Sequence, residues 1–143
     1  MPYQNTDPNG AKELLDSGEG WTYLDVRTPE EFAAGHPPGA YNVPVALADP
    51  ARGMALNQSF VEVVQKHFPV VSKLVVGCAM GGRSARACEM LAAAGYSRLA
   101  NVHGGFSGAT DMSGEITQPG WQACGHPVES ACPAERSWAG LQV

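Results

Sequence analysis

Val75-Val76-Gly77-Cys78-Ala79-Met80-Gly81-Gly82-Arg83-Ser84-Ala85-Arg86 is the stretch on which the reading of this chain turns. Lys73 to Gly77 is a short apolar run of the kind that forms a buried strand. Ser84 to Ala94 is alanine-rich, with Leu91 inside and Gly95 just after, which predicts a helix with a C-terminal stop. A cysteine therefore ends a strand, a tight loop follows, and a helix begins at once. Gly81 and Gly82 remove side chains where the backbone must curl toward a ligand. Consecutive N–H groups in such a loop form a concave anion site, and the helix N-terminus adds partial positive charge. A thiolate at Cys78 is favoured there. Arg83, five residues on, brings a guanidinium toward the same anion.

Two chemistries use this arrangement. The thiolate can take a sulfane sulfur and carry it as a persulfide, or it can take a phosphoryl group. Both are nucleophilic catalysis with N–H groups stabilising the developing charge.

Further out, short α and β units alternate. Asp7-Pro8 followed by Asn9 to Asp16 predicts a capped helix that stops at Ser17-Gly18, and Thr22 to Val26 a buried strand. Thr28-Pro29-Glu30-Glu31-Phe32 starts a short helix, with a cap residue, proline at the first position and early acids. Gly35 to Gly39 ends it, and Ala40 to Val45 predicts a strand. Pro50 to Asn57 is read as loop. Phe60 to Phe68 has helical spacing, and Leu99 to Val102 predicts a strand. This alternation implies an α/β fold with a parallel sheet. From Gly104 onward the chain is expected to wrap the core, with Trp121 and Trp138 as anchors.

Composition bounds the function. The 143 residues, 44% hydrophobic and 16% charged, suit one globular domain. A net charge of −5 argues against nucleic acid or an anionic membrane as main partner. No apolar run approaches the length of a transmembrane helix. The start, Met1-Pro2-Tyr3-Gln4-Asn5-Thr6-Asp7-Pro8, has no basic and apolar leader pattern, so a cytoplasmic protein is expected. Cys78, Cys88, Cys124 and Cys132 are too few and too unevenly spaced for a disulfide scaffold.

Four boxes in order resemble the rhodanese-type sulfurtransferases in their single-domain form. Tyr23-Leu24-Asp25-Val26-Arg27 with Glu30-Glu31-Phe32 resembles the first, and Gly35-His36-Pro37-Pro38-Gly39-Ala40-Tyr41-Asn42-Val43-Pro44 the second. Val75 to Ser84 is the third, and Asn101-Val102-His103-Gly104-Gly105-Phe106 resembles the closing glycine pair. The likeness spans roughly Asp7 to Val128. It implies a three-layer α/β domain with a central parallel five-stranded sheet and helices on both faces. Residues 1–128 are then the domain and 129–143 a tail packing on it or extending from it. It implies Cys78 as the sulfur-carrying nucleophile, with Ala79, Met80, Gly81, Gly82, Arg83 and Ser84 binding substrate. Loop length separates the two chemistries within the resemblance. Cys78 to Arg83 is Cys-x4-Arg, whereas the related dual-specificity phosphatases have Cys-x5-Arg, so sulfur transfer is preferred. Departures are Pro37, where an aliphatic residue is commoner, and an insertion, Met112 to Gly120, before Trp121.

Other residues are weighed against plainer roles. Arg27, beside Asp25, either adds positive potential at the pocket or forms a structural pair or cap with Glu30 or Glu31. His36 and His103 are read as structural, Cys88 as a buried helical cysteine, and Cys124, His126 and Cys132 as no metal site. The expectation is a thiosulfate sulfurtransferase, the alternative being a persulfide carrier or non-thiosulfate relay module, and after it a phosphatase-like enzyme of the same fold. Cys78 takes sulfur from a small anionic donor and passes it to cyanide, a thiol or a protein acceptor. No cofactor or metal is called for.

Overall fold

The computed structural model describes residues 3–143. Met1 and Pro2, where the reading of the N-terminus and of a domain over residues 1–128 begins, lie outside the described residues. Five strands form one parallel sheet. They are β1 (Gln4–Thr6), β2 (Thr22–Asp25), β3 (Tyr41–Asn42), β6 (Leu74–Gly77) and β7 (Leu99–Val102), in the order β1-β7-β6-β2-β3. Two antiparallel hairpins stand apart from it: β4 (Ala46–Asp49) with β5 (Gly53–Leu56), and β8 (Ala109–Thr110) with β9 (Ile116–Gln118).

Period-two alternation along the strands sorts side chains to two faces. Leu24, Val26, Leu74, Val76 and Leu99 enter a core with Phe60, Val63 and Val64 of α3 (Phe60–His67) and Ala87, Cys88 and Leu91 of α4 (Gly82–Ala93). Tyr23, Val75 and Val102 point the other way. They meet Ala11 of α1 (Pro8–Asp16), Phe32 of α2 (Pro29–Ala34) and Trp121. The result is the expected three layers.

Local signals explain the short helices. Asp7 caps α1 through Gly10 N–H at 2.8 Å. Thr28 and Glu31 cap α2 reciprocally, with proline at its first position. The expected strand over Ala40 to Val45 pairs regularly only at Tyr41–Asn42. Beyond it, the N–H groups of Val43 and Val45 still bond Asp25 and Val26 carbonyls, while Pro44 has no N–H to give.

One expectation is corrected and one strand is new. Pro50 to Asn57 is not simply loop: Gly53 to Leu56 is the second strand of the β4–β5 hairpin, whose base is pinned by Asn57 to the Val45 and Pro44 carbonyls. The strand β1, which edges the sheet, is absent from the reading of the sequence. The inserted segment Met112 to Gly120 supplies the turn and strand of the second hairpin. The last residues return to the domain. Glu129 exchanges backbone bonds with His36, and a short helix α5 (Trp138–Leu141) buries Leu141 against the α3–α4 side of the core. Among the described residues no helix is long and apolar enough to cross a membrane.

Candidate active site

The carboxyl ends of parallel strands gather loops at one edge of the sheet, and Cys78 stands there, directly after β6. It is buried, at 1% exposure. Gly77 before it leaves room for Tyr23: a Cβ at Gly77 would stand 1.9 Å from the Tyr23 hydroxyl oxygen. A cavity of about 430 Å³, lined by Trp21, Lys73 and Leu99, lies at the opposite ends of the strands.

α4 starts without a side-chain cap, its N-cap being Gly81 at φ +122°. The first-turn N–H groups of a helix need an outside acceptor. Here the sulfur takes that place. Gly81 N–H donates to Cys78 Sγ at 3.1 Å and Ser84 N–H donates to it at 3.3 Å. Ser84 Oγ lies 3.4 Å from the sulfur, bonds the Gly81 carbonyl at 3.1 Å and also bonds Asn101 Oδ1. Asn101 is held in turn, its Nδ2 donating to Asn5 Oδ1 at 2.9 Å.

The loop carbonyls are tied outward. Phe106 N–H donates to Cys78 O, Ser107 N–H to Ala79 O, both at 2.8 Å, and Gly104 N–H to Met80 O at 3.0 Å. This close approach requires Gly105. At φ +50° a Cβ there would lie 2.2 Å from Cys78 O and 2.8 Å from Ala79 O. The glycine pair quoted in the sequence is thus the outer wall of the sulfur loop. Ala79 is half-buried and Met80 exposed at the mouth.

Arg83 departs from expectation. Its guanidinium does not turn onto the loop but forks onto Glu31, Nη1 to Oε1 at 2.7 Å and Nη2 to Oε2 at 3.0 Å. The reason is that α2 presents Glu31, already oriented by its cap contacts with Thr28, within reach of α4. Hydrogen bonds from Arg83 hold the Glu31 carboxyl at about 2. Glu31, read earlier as a partner for Arg27, is the partner of Arg83. The Thr28-x-x-Glu31 spacing betrays its cap role, while its ion pair needs the fold.

Arg27 is likewise not a free charge at the pocket. It is buried, pairs with Asp25 (Nη2 to Oδ2 2.7 Å, Nε to Oδ1 3.0 Å) and donates to Gly35 O at 2.7 Å. Its guanidinium also lies 4.4 Å from the Phe106 ring centroid. Asp25 and Arg27 therefore lock the end of β2 to the end of α2 and to the loop bearing Gly105, and they support the site from behind.

His36 is buried and stacked on Phe32, with Nδ1 2.6 Å from Phe32 O and Nε2 3.2 Å from Glu129 Oε1. His103 is exposed. Cys88 is fully buried, and burial, reinforced by Cys78, pushes its thiol up to about 12. It stays a thiol and packs as a small apolar group. Cys124 is half-buried, Cys132 exposed, and His126 contacts Asn9 Oδ1 at 2.8 Å. The site offers a buried cysteine sulfur that accepts from two backbone N–H groups, those of Gly81 and Ser84.

The family described as the rhodanese-like domain matches residues 7–111. Thiosulfate sulfurtransferase 16, chloroplastic, of Arabidopsis thaliana is 47% identical over 97 residues, covering 68% of this chain and 78% of that protein. Thiosulfate sulfurtransferase 18 of the same plant is 41% identical over 111 residues, covering 76% of this chain and 79% of its own. Among solved structures, Rv0390 from M. tuberculosis superposes with a TM-score of 0.74 at 27% identity, over 90% of this chain and 98% of that one.

Proposed function

The chain belongs to the rhodanese-like domain family, and from that premise we propose that it is a thiosulfate sulfurtransferase working through Cys78. The observation that carries the reading is the sulfur itself, buried and bonded by Gly81 and Ser84 N–H groups at the mouth of the sheet.

In the first half-reaction the Cys78 thiolate attacks the outer sulfur of thiosulfate. A new S–S bond forms, the donor S–S bond breaks, and its electron pair leaves with sulfite. In the second, an acceptor nucleophile, cyanide or a thiol, attacks the outer sulfur of the persulfide and returns Cys78 as thiolate. The N–H groups of residues 79–84 meet negative charge in both halves, so one preorganised ring serves two steps. Two specific features favour sulfur over phosphoryl transfer. The loop is Cys-x4-Arg, and Arg83 is occupied by Glu31 rather than open to fork a phosphate.

The donor is a small anion and the acceptor a thiol, free or on a protein. The net charge of −5 speaks against nucleic acid and anionic membranes as partners. Four unpaired thiols suit a reducing compartment, and on that ground we assign the cytoplasm.

Intact mass after incubation with thiosulfate, wild type beside Cys78→Ser, tests the reading. The expected result is one added sulfur, about 32 Da from persulfide formation, removed by cyanide and absent in Cys78→Ser. Loading only from organic persulfides would make the protein a thiol-to-thiol carrier. No loading from any donor would overturn the mechanism.

A further inference from the structure

A cavity of about 200 Å³, lined in part by Arg83 at the end of the sulfur loop, is left unused by the persulfide chemistry. One wall is the β4–β5 hairpin, with Ala46, Met54 and Leu56; the other is the first two turns of α4, with Arg83 and Arg86. Arg83 is common to both places, closing the Cys78 loop with its backbone and lining this cavity with its side chain.

Met54 and Leu56 are 40% and 42% exposed, on a two-stranded hairpin outside the main sheet. Large apolar side chains held in water on one wall of a cavity form a contact surface that folding alone does not explain. The charge of the cavity can be read from its pairs. Arg83 is neutralised by Glu31, whereas Arg86 makes no ion pair among the described residues. One uncompensated positive charge faces an apolar wall, on a protein whose net charge is −5. The volume falls below the roughly 300–1,000 Å³ of sites for drug-sized ligands, which points to a small molecule.

We propose that this cavity is the acceptor subsite, and that it takes a small organic thiol with an apolar body and a single anionic group. This rests on the sulfurtransferase reading above. Thiosulfate has no apolar part to bury here and is served by the N–H ring. An acceptor thiolate approaching along Arg83 attacks the outer sulfur of the Cys78 persulfide. Its sulfur forms a bond to that outer sulfur, the bond to Cys78 Sγ breaks, and the electron pair stays on Cys78 as thiolate. The acceptor leaves as its own persulfide, and no oxidant or reductant is needed.

The test separates loading from discharge. Enzyme is loaded with thiosulfate, freed of donor and checked by intact mass. It is then discharged by para-mercaptobenzoate or by its neutral counterpart para-mercaptobenzyl alcohol, at equal thiolate concentrations. The acid is expected to discharge the persulfide about tenfold faster, the factor for one charge-assisted contact. In Arg86→Gln, an exposed helix substitution, that preference is expected to fall to about twofold or less, the residue of a lost surface contact. Loading followed by equal rates for the two thiols, or a preference that survives Arg86→Gln, would overturn the subsite. Failure to load at all would overturn the sulfurtransferase reading, and the subsite with it.

Discussion

Replacing Gly105 by alanine isolates what the glycine pair does for the sulfur loop. A Cβ there would lie 2.2 Å from Cys78 O and 2.8 Å from the carbonyl carbon and oxygen of Ala79, all backbone atoms that no rotamer change can clear. Three costs combine. The left-handed backbone, φ +50°, costs alanine about 1–2 kcal/mol. Overpacking against a fixed chain adds about 1–3 kcal/mol. Pushing Cys78 O away from Phe106 N–H, now at 2.8 Å, loses about 1 kcal/mol. The sum, about 3–6 kcal/mol, is large against the 5–15 kcal/mol that typically holds a domain together. The same shift turns the N–H donors of the loop off the sulfur, and one misplaced donor lowers a rate by about 100-fold or more. Gly114→Ala is the control. Gly114 has φ +87° but nothing within 4 Å of its would-be Cβ, in the turn between β8 and β9. Only the backbone cost applies there, about 1–2 kcal/mol, with unchanged persulfide formation. Urea unfolding and the rate of sulfur loading by mass give both numbers. If Gly105→Ala matches Gly114→Ala in both, the wall of the loop is not where the structure puts it.

Three further outcomes are expected. Cys88→Ala should load sulfur at the wild-type rate, because burial holds that thiol at about 12 and it supplies no thiolate; slower loading, read by mass, would give Cys88 a chemical role. Arg27→Met should destabilise by about 3–5 kcal/mol in urea, since it strands the buried Asp25 carboxylate; a loss below about 1 kcal/mol, as for surface pairs, would refute that. The Glu31 carboxyl sits at about 2 instead of 4.5, so the unfolded chain binds more protons, and the stability it adds is present above 4.5 and lost as pH falls toward 2. The full shift would correspond to about 3 kcal/mol, but the pair is about a third exposed and screening leaves about 1 kcal/mol. The gap in urea midpoint between wild type and Glu31→Gln should shrink between about pH 6 and about pH 3, and a constant gap would remove Arg83 as its cause.

Much of the site was legible in one dimension because its parts are consecutive. Cys78, Gly81 and Ser84 span seven positions, and a strand, loop and helix in sequence can place one sulfur against N–H groups with little help from elsewhere. The cap of α2 was legible for the same reason. The strand β1 was not, since three polar residues, Gln4 and Asn5 exposed and Thr6 half-buried, carry no apolar pattern and become a strand only by pairing with β7. The β4–β5 hairpin was hidden in the same way, its exposed strands lacking a buried face to pattern.

Sequence alone thus determined the main alternation of elements, the place of Cys78 between strand and helix and the length of its loop, because these depend on neighbours a few residues apart. Only the tertiary structure decided where the charges point. Arg83 finds Glu31 across 52 residues, and Arg27 turns inward to Asp25 and Gly35. The loop carbonyls are drawn outward by the N–H groups of Gly104, Phe106 and Ser107, more than twenty residues on. A side chain's partner is set by which elements pack together, and the direction of a charge is settled by burial and competition among all groups within reach.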